Sequence, residues 1–195
     1  MRTEVQNSRI ENLHLLLGIT GSVAAYKAVE LASKLTTRSV SVKTVMTESA
    51  CQLIGPKTLE AVTLSAVYVS LWQERQREEI VHIDLVDWSD VIVVSPATAN
   101  IIGKIANGIC DDLLSTILCA GWEKPKLLAP AMNNQMWNNP AVQQNVAKVK
   151  EIGYQLVGPV TGRLASGIHA TGRMSEPDVI LEAILQTARK IKKHK

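Results

Sequence analysis

The chain contains no phenylalanine, and tryptophan and tyrosine raise its aromatic share to only 4%. A hydrophobic fraction of 46% must therefore rest on Ile, Leu, Val and Ala, the residues of a sheet buried on both faces. Cysteines are few and odd in number, and Cys51, Cys110 and Cys119 stand at no CxxC or metal-ligand spacing. This argues against a disulfide framework and a zinc site, so no metal is expected and a reducing cytoplasm fits best. No apolar run approaches the roughly eighteen residues of a membrane span, and the N-terminal MRTEVQNSRIEN lacks a signal-peptide core. A soluble protein with no membrane partner is expected. A dominant charge is missing too. The net charge is +3, but Arg189–Lys195 hold five Lys/Arg, so subtracting them leaves about −2 elsewhere. Without a basic stripe interleaved with aromatics, a nucleic-acid partner is not expected. The basic tail, 189–195, reads as the solvated end of a C-terminal helix.

The 195 residues suffice for one domain, 1–195, with a real core. Leu13 to Thr20, LHLLLGIT, reads as a buried strand running into Gly21, Ser22 and the helix AAYKAVELASKL. The N–H groups of Gly21, Ser22 and Val23 are expected to be unpaired there, where the helix dipole favours an anion by about 0.3–1 kcal/mol. The turn is GxxGS and not GxGxxG, so it suits a mononucleotide better than NAD. Val40 to Met46 forms a second strand ending in Thr47, Glu48 and Ser49. Hydroxyls at a strand's carboxyl end can meet a ligand or cap the next helix, and both readings stay open. KTLEAVTLSAV then looks helical and WQERQREE reads as a surface loop.

His82 lies in HIDLVDWSD, ahead of the strand Val91–Val94. A lone histidine is more often structural than catalytic, yet this one precedes a strand whose far end, SPATAN, offers Ser95, Thr98 and Asn100. Thr98 or Asn100 could equally be the N-cap of a long helix, Ile101–Ala120, with Ile101, Ile105, Ile109 and Leu113 on one face. Asn107 and Gly108 within it suggest close packing. In Leu127–Pro140, LLAPAMNNQMWNNP, a strand breaks at Pro130 into Met132, Asn133, Asn134, Gln135, Met136 and Trp137. Amides flanked by sulfur and an indole suit a pocket wall for a flat ring and a carboxylate; the alternative is a wide turn with Trp137 plugging the core. AVQQNVAKVKEIG is a helix stopped at Gly153, and YQLV a short strand. The glycine-rich Gly158–Met174 reads as a long mobile loop or lid, and Ser175 and Pro177 open a closing helix. Five strands, each followed by helix or lid, give an α/β fold with a mostly parallel sheet.

Three separated signatures, HIDLVDW, SPATANIIGKIANGICDDLL and PAMNNQMW, together with LLLGITGSVAAYK and GRMSEPDVI, resemble the flavin-dependent cysteine decarboxylases. That family holds phosphopantothenoylcysteine decarboxylase and the peptidyl-cysteine decarboxylases of lanthipeptide biosynthesis. The resemblance implies a flavodoxin-like, Rossmann-type three-layer sandwich, bound FMN, and an active site built between subunits of a homotrimer or homododecamer. It implies that Gly21, Ser22, Val23, Thr47 and Ser49 contact FMN near its phosphate, with Thr98, Ala99, Asn100, Ala131 and Met132 continuing the flavin site. His82 would be the catalytic histidine and Asn133 the holder of the substrate carboxylate. Met136, Ala165 and Gly167 would line the substrate under a flap, 158–174.

The implied chemistry needs an electron sink, since a cysteine carboxylate losing CO2 would otherwise leave an unstabilised carbanion. Oxidation of the thiol-bearing carbon gives a thioaldehyde that accepts those electrons and becomes an enethiol, with His82 as acid/base and Asn133 aligning the breaking bond. One position departs from the pattern. The family's flap usually reads ACG, and its cysteine is the acid for reduction of the enethiol to the thiol; here Ala165 and Gly167 flank Ser166. A hydroxyl is a far weaker acid than a thiol of pKa about 8.5. The resemblance thus implies decarboxylation of 4′-phosphopantothenoylcysteine to 4′-phosphopantetheine in coenzyme A biosynthesis. An oxidative decarboxylase of a peptide C-terminal cysteine and a non-catalytic FMN-binding regulatory subunit are its alternatives.

Overall fold

The computed structural model describes residues 13–72 and 80–194, with side chains as far as Ile191. The N-terminal MRTEVQNSRIEN and most of the WQERQREE stretch lie outside the described residues. Six parallel strands form the central sheet: β1 (His14–Ile19), β2 (Ser41–Met46), β3 (Val67–Tyr68), β4 (Val91–Ala97), β5 (Lys126–Pro130) and β6 (Gln155–Leu156). Their order is β3-β2-β1-β4-β5-β6. Parallel neighbours cannot be joined by hairpins, so helices carry the chain across the sheet: α1 (Tyr26–Thr37), α2 (Glu48–Cys51), α3 (Pro56–Thr63), α4 (Val81–Trp88), α5 (Ala99–Asn107), α6 (Leu113–Ala120), α7 (Asn134–Trp137), α8 (Pro140–Glu151) and α9 (Pro177–His194).

Alternation along the strands feeds two cores. Leu15, Leu17 and Ile19 of β1 join Val93 and Leu127 in a cluster with Leu31 of α1, Leu59 of α3 and Ile184 of α9. Leu16, Ile92 and Leu128 point the other way, to Leu85 of α4, Ile101 of α5, Ile117 of α6 and Val146 of α8. The result is an α/β fold with a parallel sheet, as the strand and helix pattern predicts, in the three-layer sandwich the resemblance implies, with mainly aliphatic residues filling both layers. In the sheet Leu17 stands opposite Thr44 of β2 and Val93 of β4. The winding direction reverses between β1 and β4, and the crevice outside their carboxyl ends is where such sheets bind ligands.

Three elements differ from the sequence reading. The helix expected over Lys57–Val67 ends at Thr63, Leu64 turns left-handed with φ 52°, and two residues add the edge strand β3. The helix expected over Ile101–Ala120 is two helices, because Gly108 (φ 65°) caps α5 with its N–H on the Ile105 and Lys104 carbonyls. No atom lies within 4 Å of where a Cβ on Gly108 would sit, so the glycine serves a left-handed cap and not close packing. Asp112 then opens α6 by a capping box, its carboxylate accepting the Ser115 N–H at 2.7 Å. The glycine-rich segment is no irregular loop. It forms an antiparallel hairpin of β7 (Val160–Arg163) and β8 (His169–Arg173), closed where the Leu164 N–H donates to the Ile168 carbonyl at 2.8 Å.

Candidate functional site

At the switch point Thr20, buried at the end of β1, joins two strand ends. Its Oγ1 donates to the Pro96 carbonyl at 2.7 Å and accepts the Thr98 N–H at 3.1 Å. Sequence reasoning assigned Thr20 no role, although a hydroxyl directly before the Gly21–Ser22 turn was the available signal. In that turn the Ser22 N–H donates to the Thr20 carbonyl at 2.8 Å, and the Ser22 Oγ accepts the Ala24 N–H at 3.3 Å. Of the three N–H groups expected to be open, Ser22's is therefore occupied. Those of Gly21 and Val23 have no hydrogen-bond partner among the described residues. Gly21 lies so close over α2 that a Cβ would come 2.5 Å from the Ser49 Cβ.

The capping readings hold for both threonines. Thr47 Oγ1 accepts the Ala50 N–H at 3.3 Å, and Thr98 Oγ1 accepts the Ile101 N–H at 3.4 Å. Capping does not remove them from the crevice. Both line a cavity of about 610 Å³ with Gly21, Ser49, Asn100 and Met136. Ala99 lines no part of it.

On the other side of the turn, Ser22 and Val23 line a second cavity of about 450 Å³, whose far wall is Ala131, Met132 and Asn133 and whose roof includes Ala165 and Ser166 of the hairpin. Asn133 is the N-cap of α7: its Oδ1 accepts the Gln135 N–H at 2.9 Å, while Nδ2 reaches the Ser166 Oγ at 3.5 Å. The hairpin is held to this wall by the Met132 N–H, which donates to the Gly172 carbonyl at 3.0 Å. Only glycine fits at 172, where φ is 145° and a Cβ would come 2.3 Å from the Met132 oxygen. Past β8, Glu176 accepts from Arg173 and from Lys27 of α1, at 2.6 and 2.8 Å. The Lys27 ammonium, and Arg173 beside it, hold the Glu176 carboxyl below its ordinary 4.5.

Some expected residues stand apart. Gly167 lines neither cavity, and Met136, 48% exposed, faces the first cavity and not Asn133's. Trp137 is half-buried against the core, so the stretch is both a pocket wall and a plug. His82, half-buried in the first turn of α4, lines neither cavity. Among the described residues no group of three His, Cys, Asp or Glu side chains could hold a metal.

The two cavities, of a size usual for small-molecule sites, flank one tight turn. The first offers hydroxyls and an amide from Thr47, Ser49, Thr98 and Asn100; the second offers the apolar Val23, Ala131 and Met132. Glu48, Asp111 and Asp112 also line the first cavity, the two aspartates paired with Lys104. A ligand with a flat ring and an anionic tail therefore finds its apolar walls in the second and its anion partners in the open N–H groups of Gly21 and Val23. FMN is such a ligand, and these residues fit it.

A family model described as Flavoprotein matches residues 3–189. The chain belongs to this family, among the FMN-dependent cysteine decarboxylases. It is 44% identical over 173 residues to the Bacillus subtilis (strain 168) coenzyme A biosynthesis bifunctional protein CoaBC, covering 89% of this chain but only 42% of that one. The chain thus spans about two fifths of the length of that curated relative. Against a probable phosphopantothenoylcysteine decarboxylase of Streptococcus mutans serotype c (strain ATCC 700610 / UA159) the identity is 36% over 171 residues, covering 87% of this chain and 96% of the other. Among solved structures, a PPC decarboxylase with a cysteine mutated to serine, complexed with pantothenoylaminoethenethiol, matches with a TM-score of 0.82 and 36% identity. The match covers 89% of this chain and 97% of that one.

Proposed function

We propose that this chain acts as one FMN-dependent flavoprotein domain that decarboxylates 4′-phosphopantothenoylcysteine to 4′-phosphopantetheine in coenzyme A biosynthesis. The observation that carries the reading is the Asn133 side chain, fixed by its cap at one wall of a cavity roofed by the flap residue Ser166. With Oδ1 committed to the backbone, Asn133 presents only N–H donors to the cavity, the right partner for a carboxylate that only accepts. Bound along the walls that include Ala131 and Met132, FMN supplies the two-electron acceptor that such a carboxylate needs before it can leave. Thr20, Thr47 and Thr98 hold the loops that would grip it, and Gly21 and Val23 keep N–H donors for its phosphate. The flap excludes water and keeps the substrate carboxylate on Asn133.

His82 lines neither cavity, which supports a site completed by a neighbouring copy, in a homotrimer or homododecamer. There the imidazole would exchange the proton at the substrate sulfur. Ser166 favours a second outcome at this site. With a hydroxyl where the resemblance expects a thiol, return of electrons to the enethiol is slowed, and the product would be an enethiol, as from an oxidative decarboxylase acting on a peptidyl cysteine. The relative bound to an aminoethenethiol is itself a cysteine-to-serine mutant, which supports that outcome.

Purified protein reconstituted with FMN should be yellow, and incubation with 4′-phosphopantothenoylcysteine followed by mass spectrometry separates the outcomes. Loss of CO2 alone is the redox-neutral reaction; loss of CO2 and two hydrogens is the arrested one. Ser166→Cys should shift product toward the thiol, and an unchanged product ratio would refute the role given to this position. No turnover of this substrate by flavin-loaded protein would end the reading.

A further inference from the structure

The cavity under the flap has three cationic side chains in its lining, Lys27, Arg163 and Arg173, and no carboxylate. Lys27 and Arg173 are both held by Glu176, which stands behind the wall and neutralises one of the two charges. Arg163, exposed on β7 three residues before Ser166, has no ion-pair partner among the described residues. The lining therefore carries a surplus of positive charge whose unpaired member sits on the flap.

Resting on the decarboxylase reading above, the substrate has two anionic ends with different needs. Its carboxylate is served by the uncharged donors of Asn133, because the charge must move off the carboxyl group to the thiocarbonyl as neutral CO2 leaves, and a cation there would hold it back. Its other end is a phosphate monoester that keeps its charge throughout, and an anion of that kind calls for a cation. A guanidinium matches two phosphate oxygens at once, where an ammonium gives only a point charge. We propose that Arg163 is a specificity-determining residue that selects substrates carrying a phosphate monoester, leaving Lys27 and Arg173 to anchor the flap through Glu176. FMN carries the same group, so the cofactor's phosphate is the other source of this chemistry.

The test compares wild type, Arg163→Gln and Arg163→Lys, each loaded with FMN, on 4′-phosphopantothenoylcysteine and on pantothenoylcysteine. The expected result is a preference for the phosphorylated substrate in kcat/KM that weakens with salt and falls about 10- to 100-fold in Arg163→Gln. Arg163→Lys should recover part of it. In parallel the apoproteins are titrated with FMN and with riboflavin. An active wild type whose discrimination is unaltered in Arg163→Gln overturns the assignment while leaving the decarboxylase reading standing. Loosened FMN binding with riboflavin unaffected also overturns it, giving Arg163 to the cofactor. A wild type that turns over neither substrate sinks the decarboxylase reading and this assignment with it.

Discussion

Asn133 commits its oxygen to the backbone of α7 and its nitrogen to the flap, and this division makes its two roles separable. An aspartate keeps the capping oxygen and is at least as good an N-cap, so Asn133→Asp should stay within about 0.5 kcal/mol of wild type in stability. On the proposed reading the same change places a carboxylate beside the substrate carboxylate, a like-charge contact costing several kcal/mol, so turnover should fall about 100-fold or more. Melting curves beside initial rates check both halves; parallel loss of stability and activity would contradict it. Thr20 makes the complementary case. Thr20→Val leaves the Pro96 carbonyl and Thr98 N–H without their partner in a buried place, at a cost of about 1–3 kcal/mol by urea unfolding, with weaker FMN binding. A variant with unchanged stability and affinity would show that the hydroxyl does not organise the switch point. Thr20 was hard to read from sequence because its bonds run 76 and 78 residues ahead in the chain, to a partner strand that local pattern cannot identify.

Among the elements, the flap has an attachment that can be titrated. Glu176 joins β8's end to α1, and its folded pKa lies below the ordinary 4.5 because Lys27 and then Arg173 favour the charged carboxylate. That stabilisation is present above the unfolded value and is lost as pH falls through the lower folded value. Between about pH 6 and pH 3, Glu176→Gln should lose less stability on acidification than wild type does, as read from urea midpoints across that range. Equal slopes would mean that the bridge contributes nothing to the fold. The flap was misread as a loop because Val160–Arg163 and His169–Arg173 are four and five residues long, rich in glycine, and buried on little of either face. Strands that bury so little carry almost no hydrophobic period. The break between α5 and α6 was misread for the opposite reason: apolar period continues through Gly108 to Leu113, and only the left-handed backbone at Gly108 interrupts it. Where a strand is buried on both faces and ends in small or polar residues, as at Gly21, Thr47, Thr98 and Asn133, both the element and its place at the wall of a cavity were legible.

For the whole molecule, the composition shows in the packing, since a chain without phenylalanine that is rich in Ile, Leu, Val and Ala fills the two cores around its parallel sheet mainly with aliphatic side chains. What one copy lacks is His82 in its own crevice. If the site is shared, His82→Asn and Asn133→Asp should each be inactive alone but complement when mixed as hybrid oligomers. Random mixing regenerates roughly a quarter of the wild-type sites, each taking its histidine and asparagine from different copies. Absence of any recovered activity in hybrids verified by native mass spectrometry would place both groups in one copy or remove His82 from the chemistry. The central claim, that this crevice holds FMN so that a cysteine-derived acid can shed its carboxyl group, is tested most directly by label release. FMN-loaded protein, apoprotein and the Asn133→Asp variant are given 4′-phosphopantothenoylcysteine labelled in the carboxyl carbon. Stoichiometric or greater release of labelled CO2 from the FMN-loaded protein alone is the predicted result; no release from it, or equal release from the apoprotein, would contradict the account.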